Sequence, residues 1–280
     1  MNVSLPLSSY YPQLRPSRWL AHYRPRPSRM RLFCLPYAGG SAAIYKNWQA
    51  LLPDIEVCPV ELPGRGARFG DPLSTDLSLL VEDMTLALHP LTDMPFAVFG
   101  HSMGAVLAFE LTRALIRRGR APQMLVCAGR HPPHKPSHTP DIHTLSDQGI
   151  IERLREMGGT PVEILDNPEL LEVFLPTLRA DFTLHETYRF RSGPSLDVPL
   201  HIFGAAGDSE APPETLRGWE DLSARQPTVT LFEGDHFFVQ NRLNEVIAAL
   251  RNILSPGASS IKHTGRPGSV SNSEKIASYS

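Results

Sequence analysis

Along most of the chain, short runs dominated by apolar residues alternate with stretches whose apolar positions recur at helical spacing. The runs at 31–35, 56–61, 96–99, 124–128, 199–203 and 228–232 read as strands buried in a parallel sheet. Helical spacing marks 45–52, 77–88, 103–118 and 243–254, each between strands or after the last one. This alternation predicts an α/β protein with a mostly parallel, doubly wound sheet. The interval from about 132 to 198 breaks the pattern. It opens as a Pro- and His-rich loop and continues as two helical patterns, 145–157 and 168–188, with no strand between them. In the second, Leu170, Leu171, Phe174, Leu178, Phe182 and Leu184 repeat at helical spacing, and Pro176 is expected to kink or split it. Helices inserted between two core strands read as a lid; the plainer alternative is an ordinary pair of packing helices.

The two ends follow neither pattern. Residues 1–30 hold no Asp or Glu and contain Pro6, Pro12, Pro16, Pro25 and Pro27. They lack the apolar run of a secretory signal, and the prolines spoil the amphipathic helix of a transit peptide, so an extended, flexible, solvated lead-in is expected. Residues 255–280, rich in Ser and Gly, are expected to be a disordered tail. Residues 31–254 are left as one domain with its lid. Composition narrows the class further: 27 basic against 29 acidic side chains leave a net charge of −2, without the basic excess of a nucleic-acid binder. No apolar stretch is long enough to span a membrane, and a cytoplasmic monomer is expected. The three cysteines, Cys34, Cys58 and Cys127, all fall in predicted strands and read as reduced, buried and inert. The 27 prolines gather in the lead-in, in the loops around Pro36 and Pro63, and at the entry to the lid, where they mark loops and boundaries.

The candidate chemistry sits where a strand meets a helix. Gly100-His101-Ser102-Met103-Gly104 follows the strand at 96–99 and opens the helix at 103–118, which is the G-x-S-x-G elbow in its strand–turn–helix setting. The backbone reverses so sharply at the Ser that a Cβ on either flanking glycine would strike the neighbouring strand or helix. Ser102 is thereby lifted above the sheet edge at a helix N-terminus, with the Met103 N–H facing a developing oxyanion. A hydroxyl is a weak nucleophile at its free pKa, so Ser102 needs a base and the base needs an orienting acid. Of eleven histidines, His236 alone lies just after the last predicted strand, in Glu233-Gly234-Asp235-His236-Phe237-Phe238. His101 is expected to project to the opposite side of the elbow. His131, His134 and His138 are spaced like metal ligands, but Pro132, Pro133 and Pro136 forbid the helix that would align them.

For the acid, Asp208 ends Phe203-Gly204-Ala205-Ala206-Gly207-Asp208, a strand end followed by a small-residue turn. Asp235 competes, although a neighbour of the base in an extended loop tends to point away and to stabilise the turn; Glu210 is a further substitute. The loop Pro36-Tyr37-Ala38-Gly39-Gly40-Ser41 follows the first strand, and its glycines let backbone approach a substrate, so the Ala38 N–H is the natural partner of Met103 in an oxyanion hole. A second glycine loop, Leu62-Pro63-Gly64-Arg65-Gly66, is expected to be a tight turn with solvated arginines, in preference to substrate contact by Arg65 or Arg68.

Taken together, Leu32-Phe33-Cys34-Leu35-Pro36-Tyr37-Ala38-Gly39-Gly40, Glu61-Leu62-Pro63-Gly64-Arg65-Gly66, Phe99-Gly100-His101-Ser102-Met103-Gly104-Ala105, Arg179-Ala180-Asp181-Phe182 and Gly234-Asp235-His236-Phe237-Phe238 make the chain resemble the type II thioesterases of nonribosomal peptide and polyketide synthesis. The resemblance covers roughly residues 31–240. It implies an α/β-hydrolase fold with an inserted, mobile helical lid, and hydrolysis of acyl groups from the phosphopantetheine arm of acyl or peptidyl carrier proteins, clearing stalled or mis-primed carriers. By position it implies Ser102 as nucleophile, His236 as base, Asp208 as its partner, and Ala38 and Met103 as oxyanion donors, with no cofactor and no metal. Asp235 departs from the glycine frequent in relatives and adds a carboxylate beside the base. Leu171, Phe174, Leu178 and Phe182 are candidates to face the acyl chain, against simple packing on the core. The same triad would serve a carboxylesterase or lipase of small esters, and the same fold a non-catalytic carrier-binding scaffold.

Overall fold

The structure, a computed structural model, describes residues 16–20, 23–136 and 141–255. Six strands, β1 (Met30–Leu35), β2 (Ile55–Pro59), β3 (Phe96–His101), β4 (Met124–Ala128), β5 (Leu200–Ala205) and β6 (Thr228–Phe232), form one sheet in the order β2-β1-β3-β4-β5-β6. Every neighbouring pair is parallel. The chain starts at β1, steps out to β2, and returns past β1 to β3 before moving steadily the other way. The direction therefore reverses between β1 and β3, where Leu35 is in register with Gly100. In an open parallel sheet the crevice beyond the strand ends at such a switch point is where ligands bind. Here it lies between the loop after β1 and the elbow after β3.

Strand side chains alternate between two cores, as the period of two requires. Phe33 and Leu35 face one side with Val98, Leu125 and Cys127, covered by helices α3 (Leu77–Leu88) and α4 (Met103–Arg117). Met30, Leu32 and Cys34 face the other with Phe99 and Val126, covered by α2 (Trp48–Leu51), α8 (Phe238–Asn241) and α9 (Leu243–Leu254). All three cysteines are free and buried, and burial pushes their thiols well up. β6 departs from the expected fully buried strand: Val229 and Leu231 are exposed, because β6 is an edge strand that pairs with β5 alone.

Between β4 and β5 the chain inserts α5 (Asp147–Met157), α6 (Val162–Leu165) and α7 (Pro168–Glu186). The Ser146 hydroxyl caps α5, and the Asn167 side chain accepts the Glu169 and Leu170 N–H groups at the start of α7. These helices carry a small core of their own, built from Ile142, Ile150, Leu154, Leu165, Leu171, Leu178 and Phe182, as a lid requires.

Three further expectations change. The helix α7 continues through Pro176 instead of splitting; Pro176 and Glu172, whose carbonyl loses its donor there, are both exposed, so water can replace the missing bond. The segment at 45–52 divides into a 3-10 turn, Ala42–Tyr45, and the short α2, because the Ser41 side chain accepts the Ala43 N–H and starts the turn early. Outside any predicted element, a 3-10 stretch, Pro213–Leu222, buries Leu216, Trp219 and Leu222. The lead-in is not wholly extended and solvated: it forms α1 (Pro16–Trp19), and Trp19 and Leu20 are buried in the core. The expected tail lies outside the described residues except for Ser255.

Candidate active site

Ser102 has φ 55° and ψ −118°, and among the described residues it alone has a positive φ without being glycine. That strain is what the elbow demands, and its neighbours explain how it is accommodated. A Cβ on Gly100 would lie 2.0 Å from the Gly104 carbonyl oxygen, and one on Gly104 would lie 2.3 Å from the Leu35 oxygen. Both glycines are forced by the close passage of α4 over β1 and β3. The Ser102 N–H donates to the Ala128 carbonyl at 2.8 Å, which ties the elbow to the end of β4.

His236 Nε2 lies 2.9 Å from Ser102 Oγ, and its Nδ1 lies 3.0 and 2.9 Å from the two oxygens of Asp208. Asp208 is buried and also accepts the N–H groups of Glu210 and Ala211 at 2.9 and 3.0 Å. Burial pushes its carboxyl up, but the His236 hydrogen bond and charge, with the Ala211 and Glu210 N–H groups, outweigh it and hold the pKa below the ordinary value. The alternatives for the acid go elsewhere: Asp235 accepts the Phe237 N–H at 2.8 Å and stabilises the turn, and Glu210 pairs with Arg153. His101 does not simply point away from the base. It is fully buried, and its Nε2 donates to the His236 carbonyl at 2.8 Å, so it supports the loop that carries the base. Burial pushes its pKa down to about 3, so the ring is neutral.

Among the described residues, no carbonyl or side chain accepts from the Ala38 or the Met103 N–H, which leaves both donors open. The loop carrying Ala38 is held by a contact the sequence reading did not find. Arg65 and Asp181 form a buried two-pronged ion pair, Nη1 to Oδ2 at 2.5 Å and Nη2 to Oδ1 at 2.6 Å. Asp181 Oδ2 also accepts the Gly39 N–H at 2.7 Å, and Arg65 Nη1 reaches the Gly40 carbonyl at 3.3 Å. The expectation of solvated arginines is thus corrected: Arg65 fastens lid helix α7 to the loop that carries Ala38, and Arg68 is buried, bonded to Asp71 and stacked 4.2 Å from the Trp19 ring. An ion-pair partner 116 residues away in sequence explains why local turn chemistry misjudged Arg65. Both residues lie in stretches on which the family resemblance rests, and that was the available signal.

A cavity of about 580 Å³ opens onto Ser102 and His236. Of the four lid candidates, Phe174 and Phe182 line it; Leu171 and Leu178 do not, and pack in the lid core, Leu178 also against Gly39, where a Cβ would approach it to 2.8 Å. The lid face is wider than the cavity, so apolar spacing alone could not separate the two roles. Of the histidines spaced like metal ligands, His134 bonds to Asp221 and His138 lies outside the described residues. Among the described residues, Asp141, His143 and Glu186 place their ligand atoms within 4.8 Å of one another. Glu186 there already accepts the Ile142 and His143 N–H groups and meets His143 Nδ1, so its oxygens are in use.

A parallel sheet with a serine elbow at its switch point, a His–Asp relay and a helical insertion after β4 defines an α/β-hydrolase. Residues 30–254 match the family model of the thioesterase domain, and the chain belongs to that family. It is 37% identical over 235 residues to the gramicidin S biosynthesis protein GrsT of Aneurinibacillus migulanus, covering 82% of this chain and 92% of that one. Its fold superimposes with a TM-score of 0.77 on the type II thioesterase BorB from the borrelidin biosynthetic cluster, at 34% identity, covering 83% of this chain and 96% of that one. It superimposes with the same TM-score, at 36% identity, on the thioesterase RedJ from the prodiginine biosynthetic pathway in Streptomyces coelicolor, covering 88% and 99%.

Proposed function

We propose that this thioesterase hydrolyses acyl groups from the phosphopantetheine arm of carrier proteins in nonribosomal peptide or polyketide synthesis, clearing stalled or mis-primed carriers. The observation that carries the reading is the Ser102–His236–Asp208 relay opening into a lidded cavity, with the Ala38 and Met103 N–H groups free beside it. Ser102 Oγ attacks the thioester carbonyl while His236 Nε2 takes its proton, and Asp208 stabilises the imidazolium. The oxyanion rests on the Ala38 and Met103 N–H groups. The C–S bond breaks, the departing sulfur takes the proton from His236, and the pantetheine thiol leaves; a thiolate is itself a good leaving group, so acid assistance matters less than in amide cleavage. Water then gives a proton to the neutral His236 and attacks the acyl-serine; the bond to Ser102 Oγ breaks, His236 returns the proton to that oxygen, and the carboxylic acid is freed. Each step draws on groups of this chain, and the pantetheine arm arrives with the substrate. Among the described residues, no helix is long and apolar enough to cross a membrane. The reading carries with it a cytoplasmic, monomeric enzyme meeting its carriers in solution.

The test compares hydrolysis of an acyl-carrier thioester with a matched oxygen ester. The thioester should be preferred and Ser102→Ala should abolish turnover while leaving the fold intact. A wide preference for the oxygen ester would overturn the assignment, and so would wild-type protein that a fluorophosphonate fails to label at Ser102.

A further inference from the structure

Arg130 lies two residues past β4, in the immediate surroundings of the catalytic relay. The Ala128 carbonyl accepts the Ser102 N–H, and a Cβ on the intervening Gly129 would lie 3.1 Å from the His101 ring and 3.5 Å from Asp208 Oδ2. Trp219 Nε1 donates to the Arg130 carbonyl at 2.8 Å and fixes the backbone there. Arg130 lines the same cavity as Ser102 and His236. Among the described residues its guanidinium makes no ion pair and no hydrogen bond, and its Nε is shut from solvent without an acceptor.

Arg65, Arg153 and Arg179 are by contrast matched by Asp181, Glu210 and Asp147, and Arg189, on the same cavity wall, is exposed and donates to the Glu186 and Tyr188 carbonyls. The carboxylates that feel Arg130's charge are Glu186 and Glu210, and both are engaged elsewhere, Glu186 with His143 and two backbone N–H groups and Glu210 with Arg153. Burial lowers the Arg130 pKa to about 10 despite those two charges, which leaves it cationic at neutral pH. His185, also on the cavity wall, has a buried Nδ1 without a partner. An unmatched cation beside a reaction centre is costly to keep, and a ligand that brings an anion offsets the cost with charge-assisted, two-pronged hydrogen bonds.

We propose that Arg130 forms an anion subsite for a carboxylate carried on the acyl group, so that the enzyme accepts thioesters of dicarboxylic acids. This rests on the thioesterase reading and names a substrate class within it. The phosphate of the pantetheine arm is the other anion at hand, but it is separated from the thioester by the whole length of the arm, whereas Arg130 adjoins the relay that works on the carbonyl.

The experiment uses N-acetylcysteamine thioesters, which carry no phosphate. One bears a half-dicarboxylic acyl group, the other its neutral methyl ester. In the wild type, esterifying the carboxylate should raise KM about tenfold or more. Arg130→Gln should lower the ratio of kcat/KM values, carboxyacyl over neutral, by about 10- to 100-fold, and Arg130→Lys, which keeps the charge but loses the fork, should fall between. Folding of each variant is followed by its melting curve, and the wild-type comparison stands even where a variant fails to fold. Equal KM values for the two wild-type substrates, or a ratio in Arg130→Gln within about twofold of the wild type, would sink the anion subsite. Failure of the wild type to hydrolyse either thioester would instead overturn the thioesterase reading beneath it.

Discussion

At the scale of single residues, the site is made by groups whose ordinary chemistry has been altered by position. Ser102 is held at a backbone angle that only the elbow tolerates, and two glycines are required because carbonyl oxygens occupy the space of their missing side chains. His101 has been turned from a titrating group into a permanent neutral donor. Its linkage to stability has a definite sign. The folded pKa lies near 3 and the unfolded one near about 6.5, so between these values the unfolded chain binds the extra proton and stability falls as pH falls. At about 1.4 kcal/mol per pH unit, going from pH 7 to pH 5 assigns His101 about 2 kcal/mol of the loss. Urea unfolding at the two pH values should therefore show His101→Gln losing less stability than the wild type on acidification. An identical loss in both would show that His101 does not stay neutral in the fold.

At the scale of elements, the lid is joined to the catalytic face by a specific buried connection rather than by apolar contact alone. Asp181 on α7 satisfies Arg65 and the Gly39 N–H together, and Thr177 one turn earlier donates to the Gly64 carbonyl at 3.2 Å. The placement of the loop carrying Ala38, the proposed oxyanion donor, therefore depends on α7 being seated. Removing one partner of a buried ion pair costs about 3–5 kcal/mol, because the other charge is left unmatched. Asp181→Asn is expected to lose stability on that scale and, in its folded fraction, to lower kcat by tenfold or more with a smaller change in KM. Steady-state rates beside a urea titration check this; lost stability with wild-type kcat would reduce the pair to a purely structural role.

At the scale of the whole molecule, the sheet's reversal between β1 and β3 gathers pieces from distant parts of the chain into one crevice. The segment before β1 takes part in this packing. The Trp19 carbonyl accepts the Glu61 N–H at 2.8 Å, and the Trp19 ring lies in the core against the Arg68 guanidinium, so it buttresses the loop that bears Arg65. Trp19→Ala should lower unfolding free energy by about 3–5 kcal/mol without changing the denaturant slope. A loss within about 0.5 kcal/mol, the range of surface substitutions, would mean that this segment is not part of the core.

What the sequence determined by itself was whatever rests on local pattern. Strand and helix order, the elbow around Ser102, the strand-end positions of Asp208 and His236, and the lid interval all follow from periodicity, glycine placement and chain order, which act over a few residues. What only the tertiary structure decided depends on partners far apart in the chain. Arg65 read as a solvated turn residue until Asp181 was brought to it; Trp19 read as lead-in until a core formed beside it; Pro176 read as a break until its face of α7 proved exposed. Leu178 and Phe182 repeat on one helix face, yet Leu178 packs in the lid core and against Gly39 whereas Phe182 also lines the cavity. Arg130 gave no local sign at all, because the absence of a counterion becomes a property of a residue only when every neighbour is in place. Burial and charge pairing belong to the assembled fold, whereas turn and period belong to the chain.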